Sequence, residues 1–120
     1  MQTIRTTLWQ LNMPDEWRAS IQQSGDGISE LWNPEGVGKL TILVNDSNQA
    51  PSRTGTAHEF QGKLRGKISA IQCGKQFARH WTLLCGSEWI HVRYSCSAAN
   101  AEIERAAVDE IVQSISEANR

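Results

Sequence analysis

Long apolar runs are missing. Nowhere does the chain offer the roughly 18 consecutive apolar residues that a bilayer-crossing helix needs, so no membrane partner is expected. Met1 to Leu8 also lacks the apolar core and small-residue cleavage site of a signal peptide, and the chain reads as mature protein. Cysteine is scarce. Cys73, Cys85 and Cys96 are an odd number without close pairing, which argues against a disulfide framework and for a reducing, cytoplasmic setting. A dominant charge is absent as well: 12 Lys and Arg against 13 Asp and Glu give a formal charge of -1. The whole-molecule field therefore neither requires nucleic acid nor forbids it. Internal repeats, low-complexity segments and domain linkers are not found.

What is there suits one domain over residues 1–120. The 120 residues are 39% hydrophobic and 21% charged. A chain of this size buries roughly 65% of its unfolded surface, enough to fold without metal or disulfide. Thr3 to Leu11 reads as an opening strand, and Met13-Pro14-Asp15-Glu16 as a turn leading Trp17 into a second extended segment that reaches Gln23. Ile28, Glu30 and Trp32 alternate with Ser29 and Leu31, and Leu40, Ile42 and Val44 with Thr41 and Leu43. These period-2 runs predict a hairpin closed by Asn33-Pro34-Glu35-Gly36, where proline's fixed φ favours the second turn position. Residues 45–60 are polar and lack apolar periodicity, the mark of a loop long enough to carry function. Phe60 to Gly66 reads as irregular, because glycines 62 and 66 weaken any regular element.

The second half is better specified. Ile68 to Ile71 begins a strand, and Phe77 to Leu84 and Trp89 to Cys96 form a hairpin centred on Gly86 and Ser87. That register opposes Leu84 to Trp89, Thr82 to His91 and His80 to Arg93. Phe77, Arg79, Trp81, Leu83, Ile90, Val92, Tyr94 and Cys96 then make a core face, with Arg79 laid on the Tyr94 ring. Ala78, His80, Thr82, Leu84, Trp89, His91, Arg93 and Ser95 make a face at most half buried. Ser97 is a candidate N-cap. From Ala98 onward Ile103, Ala107, Ile111 and Ile115, widened by Val108 and Val112, predict a long C-terminal helix lying on the sheet. Glu102 and Glu104 would complement its N-terminus. The expected fold class is α+β, an antiparallel sheet covered by helices.

The sequence also resembles a known family. Met13-Pro14-Asp15-Glu16-Trp17, Gly27-Ile28-Ser29-Glu30-Leu31-Trp32 and Gly38-Lys39-Leu40-Thr41-Ile42 come first. His80-Trp81-Thr82-Leu83-Leu84, the run Trp89 to Cys96 and the run Glu102 to Ile115 follow. In this order they look like small bacterial proteins of the PsbP-like fold. The likeness covers most of the chain outside 46–67. It implies an α/β/α sandwich, shared by a photosystem extrinsic subunit, a Ran-binding nuclear-import factor and bacterial adaptors. Such folds are typically binding modules, and some bacterial members resemble chaperones or immunity proteins encoded beside secreted toxins. The matched residues are packing residues, so fold rather than function is what they specify.

Catalytic chemistry finds no support in the spacing. Gly36-Val37-Gly38-Lys39 lacks the upstream glycine and the following Ser or Thr of a phosphate loop, and it precedes a strand. His80, His91, Cys85 and Cys96 do not converge as a tetrahedral set, because Cys96 faces away from His91 and Cys85 lies in a turn. Neither metal nor cofactor is expected. Cys85 is the one cysteine expected to be exposed, without a base beside it. Charge is nonetheless unevenly placed: Lys63, Arg65, Lys67, Lys75, Arg79 and Arg93 oppose only Glu88 across 63–93, while residues 98–120 are acidic. Of the five tryptophans, Trp32 and Trp81 read as core, and Trp9, Trp17 and Trp89 as interface candidates.

The reading that follows is a non-enzymatic protein-binding domain, an immunity protein or adaptor that blocks a toxin or effector by steric occlusion. Its partner-binding residues are His80, Trp89, His91 and Arg93 on the hairpin, Asp46, Arg53 and His58 in the 45–60 loop, and Trp17. A small-ligand binder or enzyme with a pocket between sheet and helix is the first alternative. Nucleic-acid binding through the 63–93 basic residues is the second. A homo-oligomer is also open.

Overall fold

The computed structural model describes residues 1–6, 8–21, 28–45, 58–86 and 88–118. Two antiparallel sheets make up most of it. The larger contains β3 (Arg18–Ser20), β4 (Ile28–Trp32), β5 (Gly38–Asn45), β6 (His58–Gln61), β7 (Arg65–Cys73), β8 (Gln76–Cys85) and β9 (Glu88–Ser97). Its seven strands run in the order β3-β4-β5-β9-β8-β7-β6. The smaller joins β1 (Gln2–Arg5), β2 (Trp9–Met13) and the two-residue β10 (Ser116–Glu117) in the order β1-β2-β10. Among the described residues the only α-helix is α1, Arg105–Gln113.

Alternation of apolar and polar residues sets the register. Leu84 opposes Trp89, Thr82 opposes His91 and His80 opposes Arg93, as the two-residue turn at Gly86 dictates. Gly86 supplies the left-handed φ of 65° that a side chain would resist. The β4–β5 hairpin also forms, with Leu31 opposite Leu40 and a turn closed by the Gly36 amide donating to the Asn33 carbonyl at 2.7 Å. Even pairing then carries one set of side chains across the whole sheet. Leu31, Leu40, Ile42, Trp81, Leu83, Ile90, Val92 and Tyr94 all point to one side and are buried. Against them pack Trp9, Leu11 and Met13 of the small sheet, Trp17, and Val108, Ile111, Val112 and Ile115 from the end of the chain.

Several expectations need correction. The fold is mainly β, with a 7-stranded and a 3-stranded sheet and one short helix; the α/β/α sandwich implied by the PsbP-like resemblance is not formed. No long helix starts at Ser97. Ser97 caps only a 3-10 turn at Ala98–Asn100, without a side-chain hydrogen bond, and α1 begins seven positions after Ala98. The Ala98 amide is drawn away to the Lys75 carbonyl at 2.7 Å, and Ile103 is left 64% exposed in the turn that follows. A nine-residue helix is marginal by itself. Burial of Val108, Ile111 and Val112, each worth about 1.5–3 kcal/mol, holds it on the sheet.

The opening segment is likewise a hairpin rather than one strand, since β1 turns back onto β2 with Ile4 opposite Leu11. The Thr6 hydroxyl accepts from the Leu8 and Trp9 amides and fixes that reversal. Of the segment expected to be irregular, Phe60 and Gln61 end β6 and Arg65 and Gly66 begin β7, so 62–64 alone lie outside strands, and Gly66 suits the place where the Thr82 carbonyl leaves no room for a Cβ. Cys85 is fully buried, whereas Cys73 is exposed, the reverse of the expectation for the hairpin tip.

Candidate functional site

Among the described residues, the small sheet and α1 pack on the inner side of the large sheet. On the other side Ser69, Thr82 and Ala78 are buried, while Ile28, Leu43, Ile71 and Arg93 are exposed and His80, His91 and Trp89 half-buried. Ser20, Glu30, Thr41, Arg93, His80 and Ser69 form one cross-strand row. Beside it runs a second row of Ile28, Leu43, His91, Thr82, Lys67 and Glu59. Directly opposed residues such as His80 and Arg93 are neighbours at about 4.5–5.5 Å and diagonal ones such as His80 and His91 at about 7–8 Å, so the three line one place at the centre.

Shallow depressions mark this surface. One of about 260 Å³ lies among Ile28, Thr41, Leu43, His80, His91 and Arg93. A second, of about 310 Å³, shares His80 and Arg93 and is lined by Ile71, Phe77 and Ser95. At the hairpin end a third, of about 490 Å³, is bounded by Phe60, Arg65, Leu84 and Trp89. Apolar exposure on this side is considerable: Ile28 is 50% exposed and Ile71 45%, with Leu43 close behind.

The charges are unequal in their engagement. Glu30 is paired with Lys39 at 2.9 Å and Glu59 with Lys67 at 3.1 Å. Arg65 and Arg93 are exposed and have no ion pair among the described residues. Arg18, beside Trp32 on the same face, is also exposed without an ion pair, so among the described residues two paired acidic side chains stand with three unpaired guanidinium groups.

Of the expected site residues, His80, Trp89, His91 and Arg93 do share this face. His58 does not join them: it pairs with Ile68, whose row faces the core, and it lies at the β6 edge. Trp17 is 1% exposed within the core and cannot anchor a partner. Trp9 is buried too, because the small sheet presses it onto the inner face. Trp32, expected inside, stands half-buried on the outer face opposite Lys39. Asp46 and Arg53, with the rest of the loop to residue 57, lie outside the described residues.

A buried polar cluster on the inner side was not visible in the sequence. Glu104, 7% exposed, turns its carboxylate away from α1 toward the β4–β5 turn. Its Oε1 accepts from the Tyr94 hydroxyl at 2.8 Å, the Gly38 amide at 3.0 Å and the Val37 amide at 3.1 Å. The amides that superficially suggested a phosphate loop are therefore occupied by a carboxylate. Burial, reinforced by the hydrogen bond to Glu104 and its charge, pushes the Tyr94 phenol above its ordinary pKa. Nearby, Arg79 Nη2 donates to Asp109 Oδ1 at 2.6 Å. Its guanidinium lies 4.8 Å from the centre of the Trp81 ring, not on Tyr94 as expected. Each of these contacts fastens the helix end to the sheet. No signal of spacing could have found Glu104, whose donors in the turn stand 66 and 67 positions away. Among the described residues no group of three or more His, Cys, Asp or Glu could hold a metal ion. No helix among them is long and apolar enough to cross a membrane.

Comparison with known proteins adds a fold and little else. No family model matches the chain, and no curated protein matches it. Among solved structures, a protein from Bacteroides thetaiotaomicron VPI-5482 is similar, with a TM-score of 0.66 over 93% of this chain at 12% sequence identity. This is a likeness of fold. The chain spans 46% of the length of that protein, so the similar structure is a part of a larger one. No named family is shown by it.

Proposed function

We propose that the chain is a non-catalytic protein-binding domain that docks a partner on the outer face of the large sheet, in a reducing cytoplasm. It would act as an adaptor or an immunity-type inhibitor of an effector protein, by occlusion. One observation carries this reading: the outer side of the sheet gathers exposed Ile28, Leu43 and Ile71 and half-buried Trp89 around the His80, His91 and Arg93 centre. Apolar surface of that extent, rimmed by polar groups, is characteristic of association sites.

The two other readings draw less support. A pocket between sheet and helix would need space where Trp81, Leu83, Val92, Val108, Ile111 and Val112 are each at most 1% exposed. The ionisable groups at that interface are engaged with one another. For nucleic acid, the six basic residues of 63–93 do not form one surface. Arg79 is buried in its ion pair, Lys67 is neutralised by Glu59, and Lys63 and Lys75 sit in turns.

A photo-crosslinking residue at Leu43 tests the reading against the same residue at Ile103, which is exposed in the turn before α1. Crosslinking in cells to one discrete protein from position 43, absent from position 103 and abolished by Arg93→Glu, is expected. Equal labelling from both positions, or none from position 43, would refute it.

A further inference from the structure

We infer that the face of the small sheet turned away from the large one holds a site for a phosphate group, either the free anion or a monoester. Even pairing decides which side chains meet there. Trp9, Leu11 and Met13 are buried in the core, so Gln10 and Asn12 between them point away from it. Their register partners go with them, Arg5 and Ser116 beside Gln10 and Thr3 beside Asn12. Lys63 joins from the β6–β7 turn, held at the end of α1 by its amide, which donates to the Gln113 carbonyl at 3.4 Å. All six line one depression of about 210 Å³.

The acceptors of this site are spent and its donors are not. Arg5 Nε donates to Gln10 Oε1 at 2.9 Å, and because a guanidinium cannot accept, the Gln10 amide nitrogen is left to meet the Ser116 hydroxyl oxygen at 3.4 Å. Asn12 Oδ1 takes the Thr3 hydroxyl proton at 2.9 Å. The Ser114 hydroxyl at the same rim accepts from the Asn12 amide at 2.9 Å and donates to the Ile111 carbonyl at 2.6 Å. Among the described residues, the terminal nitrogens of Arg5, the Lys63 ammonium and the Asn12 side-chain NH2 have no partner, and neither cation has an ion pair.

Negative charge is kept out of the depression. No carboxylate lines it among the described residues, Glu16 and Glu110 included. Asp15 pairs with the terminal ammonium at 2.9 Å, and Glu117 opposes Trp9 and lies near Gly86 on the other side of the small sheet. The last carbonyls of α1 would repel an anion, but they are covered: Gln113 by the Lys63 amide, Ile111 by the Ser114 hydroxyl and Val112 by the Ile115 amide. Two cations match the charge of about −2 that a phosphate monoester carries at neutral pH. The Arg5 fork can bond two phosphate oxygens, Lys63 adds a point charge, and Asn12 and Ser116 offer donors to a third. A carboxylate, with two oxygens and one charge, would leave part of this set unused.

Inorganic phosphate titrated into the isotope-labelled full chain, followed by amide NMR shifts, tests the proposal. Saturation at low millimolar concentration is expected, with the shifts centred on Arg5, Asn12, Lys63 and Ser116. Arg5→Gln and Lys63→Gln should each weaken binding roughly tenfold, whereas Lys75→Gln, which removes an exposed cation from the β7–β8 turn, should leave it unchanged. Arg5 and Lys63 are exposed, so the variants should keep their fold, and their spectra check it. O-phosphoserine forms a second arm. Tighter binding than inorganic phosphate would assign the site to a monoester and weaker binding to the free anion, and either supports the proposal. Acetate binding as tightly as phosphate would overturn the ligand class. Shifts that never saturate, or an equal loss from Lys75→Gln, would overturn the site itself.

Discussion

Replacing Glu104 with Ala removes the one acceptor shared by three donors on two other elements. The Tyr94 hydroxyl is buried, and the Val37 and Gly38 amides are partly so. Each donor left unsatisfied costs about 1–3 kcal/mol, the upper end applying to bonds made to a charged acceptor. Against that loss stands the relief of a buried carboxylate whose Oε2 has no hydrogen-bond partner, worth a part of one such term. The balance is a destabilisation of about 2–4 kcal/mol. For a domain of this size that corresponds to a fall in melting temperature of roughly 8–16 °C. Glu104→Gln keeps an acceptor for the turn but places an amide NH2 where nothing accepts, so it should fall about midway between wild type and Ala. Denaturant unfolding followed by tryptophan fluorescence measures all three proteins. If Glu104→Ala lies within 0.5 kcal/mol of the wild type, a figure of about the size of a surface substitution, the reasoning about this cluster is refuted.

Further expectations follow from the same contacts. Tyr94 is the single tyrosine of the chain, so its ionisation can be read directly by ultraviolet absorbance. Its folded pKa is raised, hence its contribution to stability is complete below about pH 10 and is lost as pH rises from there, at up to about 1.4 kcal/mol per unit. Tyr94→Phe should abolish that slope, and a slope that persists would show that other groups carry it. Arg79→Ala removes the buried guanidinium from Asp109, which is a third exposed and keeps Arg105 at 3.9 Å, and should cost about 1–3 kcal/mol, whereas the double change Arg79→Met with Asp109→Leu should recover most of it; equal losses in the two proteins, measured by denaturant unfolding, would contradict the ion-pair argument. Gly66→Ala should destabilise strongly, because its Cβ would meet the Thr82 carbonyl, while Gly74→Asn at φ 61° should be nearly neutral in open space. Thermal unfolding compares the two, and a Gly66→Ala protein as stable as Gly74→Asn would count against the packing described.

Where side chains alternate and the turn is short, the residues themselves were informative. The 77–96 hairpin has a two-residue turn and a period-2 pattern on both strands, and local geometry alone sets which residue faces which. His80, Trp89, His91 and Arg93 were legible as one surface for that reason. The C-terminal helix misled because Ile103, Ala107, Ile111 and Ile115 keep helical spacing even though the first and the last of them lie outside the helix. What breaks the helix is tertiary: the Ala98 amide bonds to Lys75, and Glu104 turns to the distant β4–β5 turn. The tryptophans show the same limit. Trp9 and Trp17 sit in strand or turn segments whose burial depends on the small sheet packing against the large one, a contact with no local signature. Which face of the sheet is packed by the small sheet and α1 is likewise a property of layers, not of any one segment.

Covalent footprinting of the isolated protein with hydroxyl radicals, read residue by residue by mass spectrometry, tests the burial of the two faces most directly. Trp32, Trp89, Leu43, Ile28 and Ile71 are expected to be modified readily, and Trp9, Trp17 and Trp81 to be protected until the protein unfolds. Protection of the first group in the isolated chain, or modification of Trp9 and Trp17 at the rate of Trp89, would contradict the account.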